Sequence, residues 1–279
     1  MSALAEVEAL EAAWDAAAGA SPGEVSVQLR TVHGHVAGRR AQIPHYAAST
    51  VKLAVLVAAL AEVAAGRLRL EDELAVRDTF ASAAGGRFAL RQLDDQDDAT
   101  WACLGGDLAL GILLERMVAD SSNIATNVVV ETLGWGPVHR AAALACGEEM
   151  TMHHLIGDAS ARVHGPANAV TAAGLARLLS SLAAGRLLPP AQTRHALDLL
   201  AAQRHRHMIP AGLPATAWSA SKGGWTADVT HDVALVRPGR APAYVLAVCT
   251  TTGSEAAAEG LVARLSAVTW ERWTRWHAS

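Results

Sequence analysis

Strand-like sequence in this chain is confined to its two ends, and that restricts the folds open to it. Near the N-terminus, Val25, Val27 and Leu29 alternate with polar residues within Glu24 to Val32. A second run, Val36 to Ile43, follows the turn His33-Gly34-His35 and stops at Pro44. Three more runs lie near the other end: Ala217 to Lys222, Val229 to Arg237 and Ala243 to Thr251. They are set apart by Gly223-Gly224 and by Pro238-Gly239-Arg240-Ala241-Pro242. Strands from both ends can share one antiparallel sheet, with the middle of the chain as a second lobe. The expected fold is α/β: an antiparallel sheet flanked by N- and C-terminal helices, plus an all-helical lobe. It forms a single domain over residues 1–279, with the α/β lobe at about 1–53 and 208–279 and the helical lobe at about 54–207. Its natural cleft lies between the lobes.

The helices are punctuated by caps and breakers. Ala3 to Ala18 ends at Gly19, and the apolar run Ala54 to Ala65 ends at Gly66. Leu108 to Val118, Ile124 to Leu133, Pro137 to Cys146, Thr171 to Ala184 and Pro190 to Gln203 follow, and Ser254 to Trp276 closes the chain. In that last helix Trp270, Trp273 and Trp276 recur at helical spacing and read as a face packed on the core. Asp78 to Thr100 and Met150 to Ala169 are irregular. The first contains Asp94-Asp95-Gln96-Asp97-Asp98, which reads as a solvated acidic loop, with a metal or cation site as the alternative.

Composition narrows the function classes. Hydrophobic residues are 51% of the chain, charged residues 18%, and the net charge is −4, which argues against a nucleic-acid surface. Cys103, Cys146 and Cys249 are odd in number and lack metal-ligand spacing, so a reducing compartment fits better than a disulfide framework. The acidic N-terminal helix does not read as a signal peptide, and no segment is apolar for long enough to span a bilayer. The expectation is a cytoplasmic protein without metal or cofactor, acting on a small molecule. A removed leader would make it secreted instead.

The chemistry starts at Ser49-Thr50-Val51-Lys52, where a loop delivers a serine to the first turn of the apolar helix. Lys52 lies one turn on, on the same face. A serine becomes a nucleophile when a base takes its proton, and a desolvated lysine is such a base. Of the 23 basic residues only Lys52 and Lys222 are lysines. Arginine serves the surface, so the two lysines need a reason that arginine cannot satisfy, and deprotonation is one.

Three motifs then stand in order: Ser49-Thr50-Val51-Lys52, Ser121-Ser122-Asn123 and Lys222-Gly223-Gly224. Together they resemble the penicillin-recognising serine hydrolases, most closely the class A β-lactamases. The resemblance covers roughly Val25 to Trp276 and is specific as a set. It implies that Ser49 forms an acyl-enzyme and that Lys52 is its base or part of its proton relay. Ser121 would shuttle a proton to the leaving atom, Asn123 would hold the substrate's amide side chain, and Lys222 would supply positive charge. The backbone N–H groups of Ser49 and Trp225, beside Gly224, would form the oxyanion hole. His231-Asp232 reads as a strand-end pair packing its neighbours, with His231 as a second cation reaching the cleft as the alternative that the resemblance implies. Ser219-Ala220-Ser221-Lys222 repeats the first spacing on a strand, where residues three apart face opposite ways, so Ser219 is not activated.

The departures set expectations too. Ser122 stands where the family carries Asp, and Gly223 replaces a hydroxyl residue that helps to bind a carboxylate. The Glu that activates the deacylating water has no counterpart in Met150 to Ala159, where Asp158 is the nearest carboxylate and otherwise reads as a loop cap or turn residue. His153 and His154 read as surface residues. The leading expectation is a serine hydrolase acting through an acyl-enzyme on an amide, lactam or ester, with inefficient β-lactam turnover. The alternatives are a penicillin-binding-type peptidase or transferase, and a catalytically degenerate binding protein on the same fold.

Overall fold

The computed structural model describes residues 2–19, 21 and 23–278. Its centre is a five-stranded antiparallel sheet built from both ends of the chain. Strands β1 (Glu24–Thr31) and β2 (Gly34–Arg39) come from the N-terminal part. Strands β3 (Trp218–Trp225), β4 (Val229–Arg237) and β5 (Tyr244–Thr251) come from the C-terminal part. The order is β3-β4-β5-β1-β2, so β5 pairs with β1 and sets Val27 opposite Val248 and Leu29 opposite Leu246.

Alternation along the strands gives the sheet two apolar faces. Val25, Val27, Leu29, Leu246 and Val248 pack with Leu10 and Trp14 of helix α1 (Ala3–Ala18) and with Leu261 and Leu265 of the last helix, Glu255–Trp276. Trp14 Nε1 donates to Thr269 Oγ1 at 2.9 Å and ties these two helices together. Trp273 is buried, and Trp270 and Trp276 pack partly buried against the same core, as the tryptophan spacing implies.

The opposite face, with Val233, Leu235, Val245, Ala247 and Cys249, belongs to the core of the helical lobe. At the middle of that lobe lies α2 (Lys52–Ala64), buried from Lys52 through Leu60. A helix apolar on all sides is stable only when surrounded, and the other helices surround it. They include Leu110–Ala119, Asn123–Leu133, Trp135–Cys146, Ala172–Ala183 and Pro190–Ala201.

Three local expectations are corrected. The second strand ends at Arg39, because Arg40 takes a left-handed φ of 47° and the chain turns out of the sheet. Within Asp78–Thr100, Thr79–Ala81 and Arg87–Ala89 pair as a hairpin, too short to show a sequence period. The acidic run is not simply a solvated loop. Asp97 is buried, caps the turn Asp98–Trp101 and accepts from Thr100, while Asp95 caps another helix, described below. Among the described residues, no group of three His, Cys, Asp or Glu is placed to hold a metal ion, and no helix is long and apolar enough to cross a membrane.

Candidate active site

Ser49 is delivered by a segment pinned to the sheet before it turns. His45 Nε2 meets Ser26 Oγ at 2.9 Å and its Nδ1 meets Thr251 Oγ1 at 2.8 Å. Tyr46 O accepts from His231 Nε2 at 2.8 Å. Ala48 then takes a left-handed φ of 44°, a costly conformation for a non-glycine residue, and Ser49 lies in the short turn Ala48–Val51 that leads into α2. The edge strand β3 presses on this turn. A Cβ on Gly224 would stand 2.6 Å from the Ser49 backbone nitrogen, so only glycine permits the approach.

His231 is a strut rather than a cation. It is fully buried, with Nε2–H spent on Tyr46 O and Nδ1 accepting from Thr250 N at 3.1 Å. Burial pushes its pKa down to about 4, so the ring is neutral and holds the nucleophile's loop against β4. The expectation of a second cation at this position is therefore corrected.

Lys52, Ser121, Asn123 and Lys222 converge. Lys52 Nζ lies 2.6 Å from Ser121 O, 2.8 Å from Asn123 Oδ1 and 3.2 Å from Ser121 Oγ. Lys222 Nζ lies 3.0 Å from the same Ser121 Oγ and 2.7 Å from Gly223 O. Ser121 shows its carbonyl and its hydroxyl to Lys52 because its φ is left-handed, at 60°. Both lysines are at 0% exposure. Desolvation, with Lys222 close by, holds Lys52 well below the ordinary lysine value, while Asp95 partly opposes this. Desolvation likewise brings Lys222 to about 7.

The donor inventory fixes what this cluster can do. A neutral Lys52 has two N–H groups and one lone pair. Ser121 O and Asn123 Oδ1 can only accept, so they take both N–H groups. The lone pair is then open to a hydroxyl proton, from Ser121 Oγ or from Ser49. Ser121 Oγ still accepts from Lys222, giving an unbroken path between the amines. Ser49 Oγ has no hydrogen-bond partner among the described residues, leaving it open to substrate. Catalytic contacts of this kind commonly close only once substrate is bound.

The acidic run supplies a part that the motifs do not reveal. Asp95 Oδ1 accepts from Asn123 N and its Oδ2 from Ile124 N, both at 2.9 Å, while Asp94 O accepts from Asn123 Nδ2 at 2.8 Å. These bonds cap the helix that carries Asn123 and aim its Oδ1 at Lys52. Ser122 caps the same helix through Ala125 N. The carboxylate absent from the middle of the second motif thus arrives from another loop. The only sequence signal was the acidic run itself.

Asp158 is placed elsewhere. Its carboxylate accepts from Ser82 Oγ and Ala83 N at 2.9 Å and from Ala161 N at 3.1 Å, capping the helix Ala159–His164. No hydrogen bond among the described residues joins it to Ser49, Lys52, Ser121 or Lys222. Of the two histidines, His153 is exposed but His154 is buried, with Nδ1 on Leu155 O. The loop instead meets the site's helix at Ile156. Its backbone N and O bond Asn127 Oδ1 and Nδ2, both at 2.9 Å. Asn127 lies one turn after Asn123 on the same face.

Residues 8–273 match the model of the Beta-lactamase enzyme family. The chain belongs to that family. The solved structures agree on the fold. A β-lactamase from Xanthomonas campestris superposes with a TM-score of 0.82 at 22% identity, covering 95% of this chain and 98% of that one. PBP-A gives 0.82 at 20% identity, covering 96% of each chain. A β-lactamase from Sphaerobacter thermophilus gives 0.81 at 22%, covering 96% and 98%. A comparison with curated protein sequences finds no match. The fold is that of the class A β-lactamases, and the family is one of hydrolases with an acyl-serine mechanism.

The buried lysines also set how this family member's stability depends on pH. Lys222 titrates near 7 when folded and near 10.5 when unfolded, so over that interval the unfolded chain binds more protons. Stability therefore rises with pH across this window, whereas the raised pKa of Asp232, about 7, acts below it. Lys222→Met should flatten the rise in unfolding free energy between about pH 7 and about pH 9 by up to about 2 kcal/mol. Urea unfolding at both pH values measures it, and an unchanged slope in the variant would contradict the burial argument.

Proposed function

We propose that the protein is a serine hydrolase that takes an acyl group from an amide, lactam or ester onto Ser49, with β-lactams among its acyl donors. The observation that carries this reading is the single hydroxyl of Ser121 held by two buried lysine amines, one of which, Lys52, lies one turn of helix after Ser49. Lys52, kept neutral by burial, takes the proton of Ser49 as Oγ attacks the acyl carbon. Ser121 passes a proton to the leaving atom, and Lys222 adds positive charge. The N–H groups of Ser49 and Trp225 stabilise the tetrahedral oxygen, a role supported by the contact of Gly224 with Ser49 N. Asn123, held by Asp94 and Asp95, binds the amide of the acyl side chain.

Deacylation is the slow step in this reading. The carboxylate nearest in sequence caps a helix, and the residue clamped beside the Asn123 helix is the apolar Ile156. A leucine-to-glutamate variant of PBP-A has been solved as an acyl-enzyme complex with penicillin G.

Intact-protein mass spectrometry after mixing with penicillin G or an activated ester should show a long-lived adduct. Ser49→Ala should abolish it. Rapid clean turnover of penicillin G would overturn the deacylation argument, and an adduct on Ser49→Ala would overturn the nucleophile. Ile156→Glu places a carboxylate at the clamped position and should shorten the adduct lifetime by at least about tenfold. An unchanged lifetime would remove Ile156 from the water's site.

A further inference from the structure

A cavity of about 240 Å³ lies against the flank of α2, and none of the reacting groups lines it. Val57, Ala58 and Ala61 of α2 face Ala141 and Leu144 of the helix Trp135–Cys146, with Leu187 beside them. Ala58, Ala61 and Ala141 leave the room, since a longer side chain at any of them would occupy it. Sites for drug-sized ligands are larger, about 300 Å³ or more, so this one suits a small molecule with an apolar body.

The charged groups that line the cavity are Arg67, Arg140, Arg186 and Glu62. Three cations thus face one carboxylate. Glu62 gives both its oxygens to Arg67, and Arg140 reaches only to 3.6 Å from one of them. Arg186 meets no carboxylate among the described residues. Its Nη1 donates to Val32 O at 3.0 Å and its Nη2 lies 3.4 Å from Ser181 Oγ. More positive charge stands behind it. Burial first, and then the charges of Arg177 and Arg186, lower the pKa of Arg30, which Glu149 partly opposes. Arg177 in turn already has Glu149 at 3.0 Å. The rim therefore carries positive charge that the protein does not neutralise, and a guanidinium fork matches a carboxylate.

We propose that this cavity is a binding site for a small organic carboxylate, its apolar body against α2 and its charge on Arg140 and Arg186. The site does not depend on the acyl-serine reading above.

Calorimetric titration with hydrocinnamate, its uncharged amide and phenylpropylamine separates charge from shape. Hydrocinnamate should bind saturably, with a Kd no higher than about 5 mM and at least about tenfold tighter than the amide or the amine. Arg140→Gln and Arg186→Gln should each weaken it by at least about threefold, and the double variant should lose the preference over the amide. Glu62→Gln removes the one lining carboxylate and should tighten binding by at least about threefold, a gain that misfolding does not imitate. No saturable binding in that range, or an amide bound as tightly as the carboxylate, would overturn the site. A double variant that binds hydrocinnamate like the wild type would also overturn it, by placing the anion elsewhere, and so would weaker binding by a Glu62→Gln protein that melts like the wild type.

Discussion

Two amines share one hydroxyl in a space closed to water, and the rest of the site is arranged to keep them there. Lys52 and Lys222 both reach Ser121 Oγ, and both are fully buried. Burying two like charges side by side is costly, and the cost falls as each amine loses its proton. The fold thus holds a pair of amines whose pKa values lie well below those of free lysine. Function and instability have the same source, as is common where a site is built against the stability of the core.

What holds the pair in place comes from every part of the chain. The sheet supplies Lys222 on its edge strand and brings Gly224 onto the turn that carries Ser49. His45 and His231 bolt the preceding segment to β1, β4 and β5 through neutral hydrogen bonds. Left-handed backbone at Ala48 precedes the turn that carries Ser49, and left-handed backbone at Ser121 presents its carbonyl and hydroxyl to Lys52. Asp95 completes the arrangement by capping the Asn123 helix and partly opposing the lowered pKa of Lys52.

The fold was legible because its signals are periodic and repeated: alternating strands at both ends, capped helices between, and tryptophans at helical spacing. The cluster of the candidate site was legible for a different reason. Lysine is so rare here that Lys52 and Lys222 marked themselves. The supporting residues were not legible, because their roles exist only through contacts across distant sequence. Asp95 looked like one more residue of an acidic run until its oxygens were seen on Asn123 N and Ile124 N. His231 could be read as a packing residue or as a titratable cation, and only its burial and its bonds to Tyr46 O and Thr250 N decide for the neutral strut. Asp158 became a helix cap, and Ile156 took the place beside the Asn123 helix through Asn127, which no motif named.

The chain's two lysines allow the central claim to be measured directly. With lysine labelled by carbon-13 at Cε, a two-dimensional proton–carbon spectrum contains one signal for each of the two side chains. Followed against pH, one signal, Lys222, should titrate near 7, and Lys52 should titrate well below the ordinary lysine value of 10.5. Two signals that both titrate near 10.5 would contradict the account, because Lys52 would then be a solvated cation with no lone pair for the proton of Ser49.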